Sequence, residues 1–470
     1  MTMTTAQSER RVDQASSRSF YFLAWRWHFY AGLYVAPFLL VLAVTGLTML
    51  WTSVISGRDG EKYYTVTPAQ VQTAVSAQAD AAIAAIPGGT IVQYIAPREI
   101  DGVAIFRVKT EDAASMVAVD PYTGTVVDSW ERRNGLYDLA DEIHGTLLIG
   151  DLGDRLIEVA AGFAIVLIIT GLYLWWPRDG KGLASVLVPQ FAARGRLLWK
   201  SLHVTIGFYI SLILMVFLLS GLSWAGIWGD KFTQAWSTFP AAKWDNVPLS
   251  DSTHASMNHG GIKEVPWTLE QTPMPMSGSS AGKAGLPEGQ PVTLDGIVAF
   301  ARSIGFDNRF QLGFPSGETG VWTLSRDTMS NDSANPLSDR TVHIDQYSGK
   351  VLADIGFSDY GVPGKAMAVG IAFHEGDMGV WNIALVTLFC LSIIFMSVSG
   401  MVMWWKRRPA GASRLMAPAV PADMKLWKTG AVIMIAVSLL FPLTGAVLLG
   451  VIALDYLFIS RVKPLKRALS

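Results

Sequence analysis

Four of the seven histidines lie at the ends of apolar segments, two at each end. His28 and His203 begin two similar runs, WHFYAGLYVAPFLLVLAVTGL and LHVTIGFYISLILMVFLLSGL. His144 and His374 come just before two further runs, in DEIHGTLLIGDLG and IAFHEGDMG. Imidazole is a common metal ligand. Paired histidines at matching positions therefore predict two metal or metallocofactor sites.

Haem fits these pairs better than a single metal ion does. Structural zinc needs four ligands and catalytic zinc three, but each pair offers two histidines and no carboxylate at matching spacing. Haem iron needs only two axial ligands, because the porphyrin supplies the other four. Since Cys390 is the single cysteine, a CxxCH attachment is excluded and the haem must be non-covalent. We predict two haem b groups, one on His28 and His203 and one on His144 and His374.

Small and basic residues near these histidines have two interpretations each. Gly32 and Gly207, four positions after the inner histidines, either let the macrocycle approach or serve helix packing. Arg26 and Lys200 either pair with haem propionates or follow the rule that positive charge stays in the cytoplasm. Weaker candidates for the outer propionates are Arg132 and Arg133.

The other three histidines fit a metal site less well. His254 and His259 lie in segment 251–290, which is rich in Ser, Gly, Pro and Met and is predicted to be a mobile loop. With Met257, Met274 and Met276 they could bind a soft metal, but exposed surface histidines are the preferred interpretation. His343 lies in a predicted strand and is expected to be structural.

Composition indicates an integral membrane protein. Hydrophobic residues make up 51% of the 470 residues, and 37 basic residues balance 38 acidic ones. The charge balance gives no reason to expect a nucleic-acid partner. Apolar segments long enough to cross the lipid bilayer are 28–52, 155–176, 203–228, 380–405 and 427–459.

Basic residues predict the topology. They cluster in the N-terminus 1–27 and in the loops 177–202 and 406–426, which are therefore expected in the cytoplasm. The first span is expected to be an uncleaved signal anchor. Segments 53–150 and 229–375 are then expected outside the cytoplasmic membrane, in a periplasm-like space. The last segment contains Pro442 and is longer than one crossing needs, so a kinked span and a re-entrant hairpin are both open.

An internal repeat organises the chain. The first and third spans match, as do TGLYLWWPR and SGMVMWWKR at the ends of the second and fourth, and VDPYTGTVVDS matches IDQYSGKVLAD. The last two predict strands joined by a tight turn. The predicted fold is an α-helical polytopic bundle with a parallel repeat of span, external α+β module and span, followed by a C-terminal span.

Together the motifs WHFYAGLYVAPFLLVLAVTGLTMLW, IHGTLLIGDLG, TGLYLWWPR and VDPYTGTVV resemble the PepSY-associated transmembrane proteins, which include iron-regulated membrane proteins and di-haem ferric-siderophore reductases. The likeness extends to about residue 408. It implies PepSY-like external modules and an inner-membrane reductase of periplasmic ferric siderophores, with the motif histidines at 28, 144, 203 and 374. Two features depart from a simple match. The spacing from histidine to GD-x-G differs between the halves, which puts a symmetric outer pair in doubt. The long loop 251–290 and the tail leave open a subgroup with another substrate.

The predicted function is transmembrane electron transfer to a ferric siderophore or another periplasmic acceptor. No dinucleotide, Walker, HExxH or Ser-His-Asp pattern occurs, so the donor must be separate: a quinol, a flavin carrier or a reductase. One alternative is a haem-free scaffold or regulator whose modules bind a periplasmic partner. A transporter is a third possibility, but the spans lack charged residues at their middle.

Overall fold

The computed structural model combines long apolar helices with an antiparallel β-sheet. Two compact units are found: a helical unit and a sheet unit. The helical unit contains Met1–Gly46, Glu142–Phe232 and Thr387–Ser470, and the sheet unit contains Leu47–Asp141 and Thr233–Val386. The structure describes residues 2–178, 182–229, 246–258, 265–287, 289–409, 411, 414–418, 428–459, 461, 462 and 464, with side chains from residue 20 onward except at Ser185 and 428–430.

Helices and strands alternate along the chain in two similar halves. The order is α1 (Thr2–Ser56), α2 (Val75–Ala85), β1 (Thr90–Ile95), β2 (Ala104–Lys109), β3 (Ala114–Val119), β4 (Val126–Glu131), α3 (Leu136–Thr146), α4 (Asp151–Trp175), α5 (Ala184–Leu187), α6 (Arg196–Leu222), β5 (Leu249–Thr253), β6 (Pro273–Pro275), α7 (Leu294–Ser303), β7 (Gln311–Gly313), β8 (Val321–Arg326), β9 (Arg340–Asp345), β10 (Val351–Gly356), α8 (Val362–Glu375), α9 (Val380–Arg407), α10 (Lys428–Leu440) and α11 (Pro442–Leu454).

Five helical stretches among the described residues are long and apolar enough to cross a bilayer, which needs about 20 residues. Within the helical unit, apolar side chains of α1, α4, α6 and α10 form one buried cluster that includes Val35, Ala164, Leu218 and Val437. The chain is a multi-pass membrane protein, as the sequence predicts. Its candidate spans are Phe20–Ser56, Asp151–Trp175, Arg196–Leu222, Val380–Arg407 and Pro442–Ile459.

The last apolar segment is sharply bent. Helix α10 ends at Leu440, and α11 begins at Pro442, which lacks the N–H needed to continue a helix. A side chain on Gly445 would meet the backbone of Ser438, although residues seven apart in a straight helix are about 10 Å apart. The chain therefore folds back at this point, which favours the re-entrant hairpin over the kinked span for segment 427–459. The indole of Trp228 donates to the carbonyl of Leu440 (2.8 Å) at the break.

The sheet unit contains one continuous antiparallel sheet of eight strands. Its order is β10-β9-β8-β7-β1-β2-β3-β4, so the two sequence halves join where β1 pairs with β7. In that pairing Tyr94 lies opposite Leu312, and Gln93 lies opposite Gly313. The two predicted modules thus share a single sheet.

Helices α2 and α7 cover one face of this sheet. Side chains of alternating strand residues, among them Phe106 and Leu312, bury against them without solvent exposure. The two helices also contact each other, since the Ser76 hydroxyl donates to Asp295 (2.5 Å). The result is an α+β arrangement in which both halves contribute to one core.

The two D-x-Y-[ST]-G motifs form the predicted hairpins, β3–β4 and β9–β10. In each turn the aspartate accepts from the N–H two residues later: Asp120 from Tyr122 (2.8 Å) and Asp345 from Tyr347 (2.9 Å). The glycines have φ of 72° and 66°, a conformation that L side chains rarely adopt.

The face of the sheet opposite the helices carries a buried ionic cluster. Arg309 is 2% exposed, and its guanidinium contacts Asp332 (3.0 Å), Asp59 (2.7 Å) and Glu61 (3.3 Å). Glu61 also binds Arg98 (3.1 Å). Burial alone would lower the pKa of Arg309, but the carboxylates of Glu61, Asp332 and Asp59 raise it above its ordinary value. Arg309 therefore stays charged, and the cluster joins residues from both halves.

Candidate functional site

His28 lies within α1, and its ring is held by the neighbouring helix α4. The Nδ1 atom lies 3.0 Å from the hydroxyl of Thr170. The Thr170 hydroxyl in turn donates to the carbonyl of Val166 (2.7 Å), one helical turn earlier. Since its one hydrogen is used there, the hydroxyl accepts from the imidazole, and Nδ1 carries the proton. The lone pair is left on Nε2, which is the nitrogen available to a metal.

His203 in α6 repeats this arrangement with α9. Its Nδ1 lies 2.7 Å from the hydroxyl of Ser399, and Ser399 donates to the carbonyl of Met396 (3.0 Å). The tautomer is therefore the same, with the lone pair on Nε2. His28 and His203 both lie in the helical unit, and each ring is held by a neighbouring helix. That the two histidines share one haem stays a prediction.

His144 in α3 is held in the same way by α1. Its Nδ1 lies 2.8 Å from the hydroxyl of Thr45, which donates to the carbonyl of Val41 (2.9 Å). Burial lowers the pKa of His144 to about 4, so the ring is neutral. A neutral imidazole with its lone pair on Nε2 is the form that binds iron.

A glycine follows each of the three hydroxyl residues and lies against the ring of the same histidine. A side chain on Gly171 would come within 3.2 Å of His28 Cε1, and side chains on Gly46 and Gly400 would touch the rings of His144 and His203 at 3.7 and 3.8 Å. These glycines let the imidazoles lie close to the helix backbone. Thr-Gly or Ser-Gly is thus one functional unit, found at Thr45–Gly46, Thr170–Gly171 and Ser399–Gly400.

Gly32 and Gly207 have a different role in this structure. Gly32 faces the Leu167 side chain, and Gly207 lies so close to Met396 that an added Cβ would be 2.9 Å from its Cε. These contacts join α1 to α4 and α6 to α9. They support the helix-packing interpretation.

His374 lies in the last turn of α8, in the sheet unit. Gly376 ends the helix with φ of 88°, and the buried Asn382 side chain donates to the Phe373 carbonyl (3.0 Å) and accepts from the Met378 N–H (3.0 Å). The turn after His374 is therefore well defined. His144 belongs to the helical unit, so the pairing of these two histidines stays a prediction.

Two of the basic candidates for propionate contacts, Arg26 and Arg133, bind protein groups. Arg26 donates to the Pro418 carbonyl (2.7 Å) and lies over the Tyr30 ring. In the sheet unit Arg133 binds Asp138 (3.2 Å). Lys200 lies exposed at the start of α6.

His254 is not a surface residue, and that prediction is wrong. It is fully buried, and its Nε2 lies 2.9 Å from the Nε2 of His343, which is also fully buried, in β9. The segment that precedes and follows His254 forms the two-stranded sheet β5–β6, so its description as an irregular mobile loop is also wrong there. The sequence could not reveal this pairing because the two rings are 89 positions apart. His259 lies outside the described residues.

The buried pair makes no metal site, and among the described residues no group of three or more His, Cys, Asp or Glu side chains is arranged to hold a metal ion. Instead the rings form a chain of hydrogen bonds. The Nδ1 of His254 lies 2.8 Å from the Thr272 carbonyl, and the Nδ1 of His343 lies 3.0 Å from the Thr323 hydroxyl. One Nε2 donates to the other, so only one proton lies between the rings, and burial disfavours a positive charge on either ring.

This pair makes the stability of the sheet unit depend on pH. Burial lowers the pKa of His254 to about 4 and that of His343 well below its ordinary value of 6.5. Below about pH 6.5 the unfolded chain binds protons that the folded chain does not. The free energy of unfolding should therefore fall by roughly 1.4 kcal/mol for each histidine with every pH unit. We expect this loss between pH 6.5 and 4 in hydrogen exchange of β9. The double variant, His254→Gln with His343→Gln, should lose less protection than wild type as the pH falls. If protection falls equally with pH in the two proteins, the prediction is wrong.

Sequence reasoning missed the hydroxyl residues Thr45, Thr170 and Ser399. The signal was present, since each precedes a glycine at the same place in the repeat. Ser220–Gly221 is the fourth copy, and the Ser220 hydroxyl also donates one turn back, to Val216 (2.8 Å).

A cavity of about 230 Å³ lies beside the inner site, between α1, α4 and α10. Thr170 forms part of its wall, together with apolar side chains that include Trp27, Ile169 and Val437. The helices are therefore not fully packed next to His28.

Apolar spans, an antiparallel sheet and histidines held by neighbouring helices define a polytopic membrane protein with a soluble α+β insert. Residues 25–407 match the family described as PepSY-associated TM region. The chain belongs to this family, as the sequence motifs indicate. No curated protein matches the sequence.

Proposed function

We propose that the protein is a di-haem b electron conduit of the bacterial inner membrane, which reduces ferric iron, held by a siderophore, in the periplasm. His28 and His203 would hold the inner haem, and His144 and His374 the outer one. Haem supplies one-electron iron chemistry. The four histidines would bind the two groups, and Thr45, Thr170 and Ser399 would fix the orientation of three of the imidazoles.

The observation that carries this proposal is the repeated hydroxyl contact on three of the four histidines. Each of Thr45, Thr170 and Ser399 uses its hydrogen on a helix carbonyl and so accepts from Nδ1–H. A partner on the second nitrogen that fixes the tautomer is typical of metal-binding histidines. A histidine that served only as an interfacial anchor would not need the same contact three times.

The arrangement also favours electron transfer over oxygen chemistry. Two histidines on one iron leave no coordination site for oxygen. Reduction of a ferric chelate at its periphery needs no acid, base or nucleophile. The role of these side chains is therefore to set the position, surroundings and potential of the cofactor.

A haem-free scaffold is the alternative, with the sheet unit binding a periplasmic partner. It explains the family membership and the sheet, but it gives no role to the hydroxyl contacts inside the helical unit. The electron donor stays a prediction, with quinol, flavin carrier and reductase as candidates.

Electron transfer across a bilayer can be measured directly. Purified protein is placed in lipid vesicles with dithionite inside, and a ferric hydroxamate siderophore with a ferrous indicator is placed outside. We expect ferrous iron outside only with wild-type protein, and His203→Ala vesicles provide the control. Equal rates in wild-type, His203→Ala and protein-free vesicles would contradict the conduit.

Replacing Thr170 with valine should weaken the binding of the inner haem while α4 keeps its shape. Nδ1 of His28 loses its acceptor, and loss of such a partner lowers metal affinity about 10–100-fold. The measurement is the rate of haem transfer to apomyoglobin. Thr170→Ser keeps the hydroxyl and should behave as wild type, whereas equal rates for Thr170→Val and wild type would show that the contact does not support the ligand.

A further inference from the structure

The cavity between α1, α4 and α10 has room for a small ring. Aliphatic and aromatic side chains form its walls together with Thr170, and α10 contributes Ile433, Met434 and Val437. An apolar cavity of about 150 Å³ is enough to bind benzene. The volume of about 230 Å³ therefore accepts a substituted six-membered ring.

The cavity is reached from the lipid. Ile169 forms part of its wall and is 39% exposed, and it lies within the candidate span Asp151–Trp175. The exposed part of this side chain therefore faces the bilayer. No charged residue is among the described residues that line the cavity. A ligand that enters here must be soluble in lipid and apolar over most of its surface.

Aromatic rings line the end of the cavity near the membrane interface. The rings of Phe20 and Tyr173 are 4.6 Å apart, and Trp27 lies 6.5 Å from Phe20. Tyr173 is two residues before the end of α4, and Arg178 donates to its carbonyl (2.6 Å). Aromatic and basic residues are typical of the interface. The rings offer flat faces to an aromatic ligand, and the polar groups of that ligand would lie near interfacial water.

Thr170 connects the cavity to the inner site. It forms part of the cavity wall, and its hydroxyl lies 3.0 Å from Nδ1 of His28. The nitrogen that would bind iron is the other one, Nε2. A ligand in the cavity would therefore contact the residue that holds the predicted axial ligand, without competing for the iron.

The ends of the same spans are bound by the chain segments that follow α4 and α9. Thr205, two residues after His203, donates to the Val186 carbonyl (3.2 Å). Arg26, two residues before His28, donates to the Pro418 carbonyl (2.7 Å). These segments lie at the end of the spans where basic residues cluster, which is the end that a soluble reductase would approach. The cavity offers a route to the inner site that does not displace them.

We propose that this cavity binds a lipid-soluble quinol, which is the electron donor of the inner site. The inference deepens the proposed function and rests on it for the electron acceptor. The quinol breaks its two O–H bonds and is oxidised to the quinone. Its two electrons leave one at a time for the inner site and reduce two ferric ions, and its two protons pass to interfacial water. The sequence has no dinucleotide motif, so a donor dissolved in the bilayer supplies what the chain lacks.

The first test measures quinone binding, which does not depend on haem. Tritiated decylubiquinone is equilibrated with the full-length protein in detergent. Val437→Phe and Ile169→Trp fill the cavity from α10 and from α4. Val432→Phe is the matched control, because Val432 is on α10, is 63% exposed and is not part of the wall. We expect at least about tenfold weaker binding in both cavity variants and wild-type binding in the control.

The second test compares two reductants of the haem-loaded protein. Decylubiquinol must bind in the cavity to act, whereas dithionite acts from water. In Val437→Phe and Ile169→Trp the rate of reduction by decylubiquinol should fall as binding falls. Haem content and the rate of reduction by dithionite should equal those of wild type in all three variants.

Equal quinone binding in wild type and both cavity variants would overturn the proposal, as would an equal loss in Val432→Phe. Loss of co-purified phospholipid from the cavity variants, with quinone binding unchanged, would assign the cavity to a lipid acyl chain and also overturn it. A red protein that binds no quinone would refute the quinol site and leave the conduit intact. A colourless protein whose quinone binding is lost in Val437→Phe would support the binding site and refute the haem conduit.

Discussion

Replacing His203 with alanine should remove about half of the bound haem and leave the other half unchanged. The inner haem loses one of its two axial ligands, and Ser399 loses the ring it holds at 2.7 Å. The outer haem keeps both of its predicted ligands at the other end of the spans. His28→Ala should give the same result, and the double variant should lose no more than either single variant, because both residues serve one cofactor.

The matched control is His254→Gln. This histidine is also buried and hydrogen-bonded, but it lies in the sheet unit, where it contacts Thr272 and His343. Haem content should equal that of wild type. If His254→Gln and His203→Ala lose equal amounts of haem, general destabilisation explains the loss and the ligand assignment is wrong.

Replacing Arg309 with methionine should destabilise the sheet unit by about 3–5 kcal/mol. The substitution keeps most of the volume but leaves the buried carboxylates of Asp59, Glu61 and Asp332 without their shared cation. Burial has already raised the pKa of Asp332 to about 7 despite the arginine. Without Arg309, these carboxylates should take up more protons when the chain folds.

The measurement is hydrogen exchange of β7 and β1, the strands that join the two halves. Arg340→Met is the control, because its partner Asp354 is 45% exposed and can be solvated when left alone. That variant should lose about 1 kcal/mol or less. Equal protection in Arg309→Met and wild type would show that the cluster does not stabilise the sheet.

Local patterns were enough to predict much of the fold. Long apolar runs define the spans because a bilayer accepts few other segments, and D-x-Y-[ST]-G defines two hairpins because Gly124 and Gly349 need positive φ. The joining of the halves through β1 and β7 was not predicted. The alternation of apolar and polar residues along a strand does not show which distant strand pairs with it.

The candidate site was predicted in part for the same reason. Histidines repeat at fixed places and are rare enough to stand out, whereas Thr170 and Ser399 look like ordinary helix residues until a partner helix is known. The Arg309 cluster brings together residues near positions 60, 309 and 332, so no spacing could indicate it. His254 was predicted to be exposed because the composition of segment 251–290 is typical of a loop. Composition could not show that this histidine pairs with His343 of β9.

The most direct test of the central claim is the haem content of the wild-type protein. The full-length chain is purified in detergent from haem-replete cells, and its pyridine haemochrome and reduced-minus-oxidised spectra are recorded. The conduit requires a red protein with about two haem b per chain and six-coordinate low-spin spectra. A colourless protein would contradict it and favour the scaffold.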